Sequence, residues 1–167
     1  MIKKRWLSVF AENEIGVLAR VAGLFAGKSY NLNSLTVGPT EDPTVSRMTI
    51  GLTSDDRTFE QVVKQLDRCV EVIKVIDLTE TASHQKELLF VKVRACTRQE
   101  IDDLFRFAGV FSVNITDYCR DAVLLESTAP ETRNDELIRL LREQFPGRIE
   151  IVRGGGVAIE AIGLAER

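Results

Sequence analysis

The chain of 167 residues has little of what chemistry needs. Its only histidine, His84, falls in a polar linker-like stretch, so no Ser–His–Asp or Cys–His set can be built elsewhere in the chain. Its three cysteines, Cys69, Cys96 and Cys119, are odd in number and widely spaced, with no Cys-x-x-Cys. That excludes a zinc knuckle and a disulfide frame, and it fits free thiols in a reducing compartment. No apolar run approaches the roughly 18 residues of a membrane span, and the N-terminus lacks a signal-type apolar core. There is no excess of charge of one sign. Formal net charge is -3, with ten basic and eleven acidic residues in 1–84 and twelve and fourteen in 85–167. A nucleic-acid surface is therefore not expected, and Lys3-Lys4-Arg5 reads as a solvated terminus. No Gly-x-x-x-x-Gly-Lys-Ser/Thr occurs. Gly154-Gly155-Gly156 lacks the βαβ context of a dinucleotide fingerprint and reads as a flexible turn into the tail. The acidic pairs Glu41-Asp42, Asp55-Asp56 and Asp102-Asp103 fall at caps, loops or helix faces, where solvation explains them.

What is present is a balanced globular composition, 44% hydrophobic and 28% charged, arranged as one pattern used twice. The first half reads strand (about 4–11), helix (about 16–27), strand (31–37), strand (46–53), helix from about 55, strand (70–76). Thr79 to Lys86 is polar and aperiodic and reads as a linker. The order then repeats: strand 88–95, a helix opened by the capping-box pattern Thr97-Arg98-Gln99-Glu100, strands 111–116 and 122–127, a helix over 130–145, and a last strand at 148–153. The class is α+β, with two ferredoxin-like βαββαβ units. The domains expected are 4–79, a linker 80–86, and 87–167. Each unit leaves one sheet face and two edges open, which predicts cover by a second copy and hence a homodimer.

The strongest local signal is Asn13-Glu14-Ile15-Gly16-Val17-Leu18, between the first strand and the first helix. Asn13 reads as the helix N-cap. A helix start offers unpaired amides and a partial positive charge, and Gly16 lets another molecule approach the backbone. Such a corner suits a small carboxylate. Asn13 or Asn31 could accept an ammonium group, and Ile15, Val17 and Leu18 could carry an apolar side chain, which together describe an α-amino acid. The competing reading makes Asn13 only a cap and Asn31 only a turn residue.

The residues Leu7-Ser8-Val9-Phe10, Glu12-Asn13-Glu14-x-Gly16-Val17-Leu18-x-Arg20-Val21-x-Gly23-Leu24-Phe25, Tyr30-Asn31-Leu32-x-Ser34-Leu35-Thr36-Val37-Gly38-Pro39-Thr40 and Ser46-Arg47-Met48-Thr49-Ile50 closely resemble the family of regulatory small subunits of acetolactate synthase (acetohydroxyacid synthase). The first half is similar to that family's ACT domain. Lys86-Glu87-Leu88-x-Phe90-Val91-Lys92-Val93 and Arg153-Gly154-Gly155 resemble its C-terminal domain. The resemblance implies a chain without catalytic residues or cofactors of its own. Its expected partners are the large catalytic subunit, which carries thiamine diphosphate, Mg²⁺ and FAD, and a second copy of itself. It implies activation of that subunit and feedback inhibition by a branched-chain amino acid, valine first, in the cytoplasm. It further implies that Asn13, Ile15, Gly16, Val17 and Leu18 hold the effector from one copy, with Asn31, Leu32 and Gly38 facing it from the other. Ile15 stands where many ACT domains have proline. Pro39, Thr40, Glu41, Asp42 and Arg47 are expected to meet the catalytic subunit, a solvated loop being the rival reading. The alternatives are a stand-alone amino-acid sensor with another enzyme or a transcriptional partner, and an enzyme in its own right.

Overall fold

The computed structural model describes residues 1–27 and 32–163. These form two compact units, one of residues 1–84 with 156–163 and one of residues 85–155. The elements are β1 (Lys3–Glu12), α1 (Val17–Gly27), β2 (Leu32–Pro39), β3 (Val45–Ser54), α2 (Asp56–Leu66), β4 (Val72–Asp77), β5 (Ser83–Val93), α3 (Arg98–Phe111), β6 (Asn114–Tyr118), β7 (Val123–Ala129), α4 (Glu131–Gln144) and β8 (Ile149–Glu160).

In the first unit the sheet order is β2-β3-β1-β4, and β1 pairs antiparallel with both β3 and β4. Alternate residues of a strand face opposite sides. Leu7, Val9 and Ala11 of β1 therefore lie on the helix side with Met48, Ile50 and Leu52 of β3. The register sets Leu7 against Ile50 and Val9 against Met48. Val17, Val21 and Phe25 project from α1, and Phe59, Val62 and Leu66 from α2, at spacings of three and four that make one apolar stripe. Each such side chain, fully buried, contributes about 1.5–3 kcal/mol. Asp55 caps α2, accepting from the Thr58 amide at 2.7 Å.

The other face of this sheet is not left open. Trp6, Leu78 and Ala158 are buried together there, with Ile76 packed on them. The end of β8 crosses this face. Thr36 Oγ1 donates to the Gly156 carbonyl at 2.8 Å, and Arg47 Nη2 meets Glu160 at 2.9 Å. The indole explains the glycine: a Cβ on Gly156 would sit 2.7 and 2.8 Å from Trp6 ring carbons. Two expectations are thereby corrected. Gly154–Gly156 is strand, because the small residues let the backbone run close to its neighbours. Residues 156–163 pack with the first unit and not the second. The expected linker 80–86 is also shortened, since β5 starts at Ser83 and takes in His84.

The second unit repeats the plan with sheet order β6-β7-β5-β8. Leu89, Val91 and Val93 of β5 and Val123 and Leu125 of β7 meet Leu104 and Ala108 of α3 and Leu137, Ile138, Leu141 and Phe145 at and beyond α4. The Thr97–Glu100 capping box is formed: the Thr97 amide donates to Glu100 at 2.7 Å, and the Glu100 amide to Thr97 Oγ1 at 3.2 Å. Helix α3 runs to Phe111 and stops at Ser112, in left-handed backbone at φ 56°. The strand expected over 111–116 therefore begins only at Asn114, because Phe107 and Phe111, one helical turn apart, stack at 4.2 Å and pack on the core.

Candidate functional site

The turn entering α1 stands out of the surface. Asn13, Glu14, Ile15, Gly16 and Leu18 are all exposed. The Arg20 amide donates to the Gly16 carbonyl at 3.0 Å, so Gly16 and not Asn13 is the N-cap. Asn13 has another task. Its amide donates to the Thr44 carbonyl at 2.7 Å, and its Nδ2 to the Pro43 carbonyl at 2.9 Å. It thus staples the β1–α1 turn to the β2–β3 loop, over a sequence separation no local pattern reveals. Gly16 has φ +91°, a conformation that side chains with a Cβ resist, and open space where its Cβ would be. Among the described residues the amides of Ile15, Gly16, Leu18 and Ala19 have no backbone partner. The first turns of α2, α3 and α4 each contain an acidic residue (Asp56, Glu100, Glu131), whereas that of α1 contains none. The positive end of α1 is therefore not neutralised by a carboxylate in its own first turn.

Two of the expected site residues are placed differently. Val17 is buried in the first core and presents nothing at the surface. Leu32 packs against that core as well. Gly38 is half-buried near the end of β2, paired with Arg47 of β3, and Asn31 lies outside the described residues. β2 is an edge strand whose outer side is free among the described residues.

Of the loop expected to meet a partner, Pro39, Glu41 and Asp42 are exposed and Thr40 is half-buried. The loop closes on itself. The Thr40 amide donates to the Val45 carbonyl at 3.0 Å, and Asp42 accepts from the Thr44 hydroxyl and amide at 2.7 and 2.9 Å. The Thr44 hydroxyl, then its amide, holds the Asp42 carboxyl below its ordinary range. Arg47 points elsewhere: Nε donates to Ser8 Oγ at 2.7 Å, the guanidinium stacks 4.8 Å from the Phe10 ring, and Nη2 meets Glu160. It is satisfied within its own unit, on the face opposite the helices.

A polar network in the second unit escaped the sequence reading. Asn134 is fully buried and donates to the Glu87 carboxylate at 3.1 Å and to its carbonyl at 3.2 Å, while accepting from Ser127 at 2.8 Å. Arg153 grips Glu87 with two bonds, at 2.8 and 2.7 Å, and reaches Asp135 at 2.7 Å. Burial pushes the Glu87 carboxyl up, but Arg153 and then Asn134 pull it down further, and it stays below its ordinary value. The one available signal was Asn134 itself, a polar residue on the stripe of Leu137, Ile138 and Leu141. No group of three or more His, Cys, Asp or Glu suited to a metal occurs among the described residues, and no helix there is long and apolar enough to cross a membrane.

A βαββαβ unit with an exposed turn before its first helix, followed by a second such unit, defines a tandem ferredoxin-like α+β protein. Residues 7–74 match the family described as the AHAS small subunit-like ACT domain, and residues 86–162 match the small subunit of acetolactate synthase. The acetolactate synthase small subunit of Haemophilus influenzae is 39% identical over 93% of this chain and 94% of its own length. A probable acetolactate synthase small subunit of Archaeoglobus fulgidus is 40% identical over 93% and 96%. The crystal structure of the acetolactate synthase small subunit from Thermotoga maritima superposes with a TM-score of 0.84 at 32% identity, covering 97% of this chain and 99% of that one. The chain belongs to the acetolactate synthase small-subunit family.

Proposed function

We propose that this chain is a regulatory subunit that binds a branched-chain α-amino acid, valine first, at a seam between two copies of its first unit. The observation that carries the reading is the α1 entry. It has exposed amides without backbone partners, a glycine at φ +91°, and no acidic residue to neutralise the helix end. The effector's carboxylate rests there, and Ile15 and Leu18, both exposed, meet its apolar side chain. The free edge of β2 is where a second copy adds its strand, so that Gly38 and its neighbours of one copy face the α1 entry of the other. The dimer binds the large catalytic subunit of acetolactate synthase in the cytoplasm and raises its activity. Thiamine diphosphate, Mg²⁺ and FAD belong to that partner. The exposed part of the Pro39–Asp42 loop is the partner surface. Arg47 shapes the sheet behind it.

Regulation then follows from linkage. Valine shifts the complex only as far as it binds one arrangement better than the other, typically by about 1–3 kcal/mol. The test is a valine titration of the reconstituted two-subunit enzyme. Gly16→Asp puts a carboxylate where the effector's own belongs, with room for it. Inhibition by valine is expected to vanish while activation persists. Gly16→Ala is the control that adds backbone strain without charge. An unchanged inhibition curve in Gly16→Asp refutes the site.

A further inference from the structure

The internal repeat builds the same corner twice, and the second copy of it is also open. In the first unit the β1–α1 turn is tied to the β2–β3 loop through Asn13. In the second unit the β5–α3 turn is tied to the β6–β7 turn, by the Cys96 amide donating to the Asp121 carbonyl at 2.8 Å. Each β–α turn contains one residue at positive φ: Gly16 at +91° and Ala95 at +54°. Ala95 carries a Cβ in that strained region, and its carbonyl is held by Arg148 Nη1 at 2.8 Å.

Within the second unit, between its β5–α3 turn and its β6–β7 turn, lies a cleft of about 1110 Å³. Arg98, Ile101 and Asp102 of α3 form one side, and Tyr118 at the end of β6 with Arg120 and Asp121 of the turn forms the other. Its charges are of both signs. Arg94, Arg106, Arg139, Arg148 and Arg153 of this unit each meet a carboxylate. Arg98 and Arg120 have no ion-pair partner among the described residues, nor has Asp102. The Asp121 carboxylate takes only the Cys119 thiol, at 3.4 Å. The Cys96 thiol also lines the cleft. Burial, and next the Glu100 carboxylate, pushes it up, so it presents no charge. The Phe105 ring stands edge-on to Tyr118 at 5.3 Å and holds that ring from behind.

We propose that this cleft is a second ligand site of the chain, taking a free α-amino acid. The guanidinium groups of Arg98 and Arg120 take its carboxylate, Asp102 and Asp121 its ammonium, and Ile101 and Tyr118 its apolar side chain. Two cations without ion-pair partners among the described residues and two under-used carboxylates, all exposed along one cleft, complement a zwitterion better than a plain anion, which the aspartates would repel.

The test is an amide NMR titration of the full chain with L-valine and L-leucine, and with two analogues that each lack one charge, 2-oxoisovalerate and valinamide. Shifts are expected at residues 96–102 and 118–121 with the amino acids. Each analogue is expected to bind there at least about tenfold more weakly, since each forfeits charge-assisted bonds. The variant Arg98→Gln/Arg120→Gln should lose these shifts and keep a dispersed spectrum and any shifts at 13–18. Gly16→Asp should do the reverse. Absence of shifts at the second corner, their survival in the double variant, or equal binding of either analogue overturns the proposal. Loss of shifts at 13–18 alone overturns the first site and leaves this one standing.

Discussion

Removing the guanidinium of Arg153 is the sharpest test of how the second unit is held. In Arg153→Met the apolar stem is kept and the charge deleted. Glu87, whose side chain is 5% exposed, then keeps only Asn134 among its side-chain partners. Deleting one partner of a buried pair costs about 3–5 kcal/mol. The Arg153 side chain is 32% exposed, so solvent already screens part of the pair, and about 2–3 kcal/mol is the better figure. For a unit of this size that lowers the midpoint of thermal unfolding by roughly 10–20 °C. Far-UV circular dichroism follows it. The single tryptophan, Trp6, sits in the first unit, so its fluorescence separates loss of the second unit from loss of both. The partner variant Glu87→Leu/Arg153→Met should recover most of the loss, because it leaves no unpaired charge buried. There is also a pH signature. A carboxyl held below its unfolded value of 4.5 contributes stability above that pH and loses it as the pH falls. Without Arg153, burial dominates and Glu87 protonates at higher pH, so the acid limb of the stability profile moves upward. If Arg153→Met unfolds within about 0.5 kcal/mol of the parent, the reasoning fails and the pair is in effect a surface one.

Three further outcomes follow. Gly156→Ala, whose methyl would press on the Trp6 ring, should destabilise the first unit by about 1–3 kcal/mol and shift tryptophan emission, both read in a urea titration. Glu100 is held at about 2, first by Arg148 and then by the Thr97 amide. Its contribution to stability is complete above 4.5 and disappears as the pH falls through about 2, so Glu100→Gln should flatten the urea midpoint against pH in that window. Asn13→Ala removes the bond to the Pro43 carbonyl while keeping the backbone bond to Thr44, and should weaken valine inhibition several-fold without abolishing activation.

The order of elements, the Asp55 cap, the Thr97–Glu100 capping box and most of both cores were legible, because each rests on residues three or four apart or alternating along a strand. The opening site was legible in part. The turn at Gly16, where the backbone takes φ +91°, was legible as a break between strand and helix, and Ile15 and Leu18 are exposed beside it. Asn13 was assigned the wrong bond, and Val17 the wrong direction, because the helix starts at Val17 and turns that side chain inward.

Local periodicity and turn residues, together with the family likeness carried by the motifs from Leu7 to Ile50, determined by themselves that this is a twice-repeated α+β chain. They also determined that its first helix begins just after a glycine-containing turn. Tertiary structure alone decided the rest. It put Gly156 against Trp6 and folded the end of β8 onto the first sheet. It turned Arg47 to Glu160, and it brought Glu87, Asn134 and Arg153 together from three separate segments. These pairings span from 47 to about 150 residues of chain. They are fixed by which faces are left to bury and which charges must then be matched, and a window of local sequence carries neither quantity.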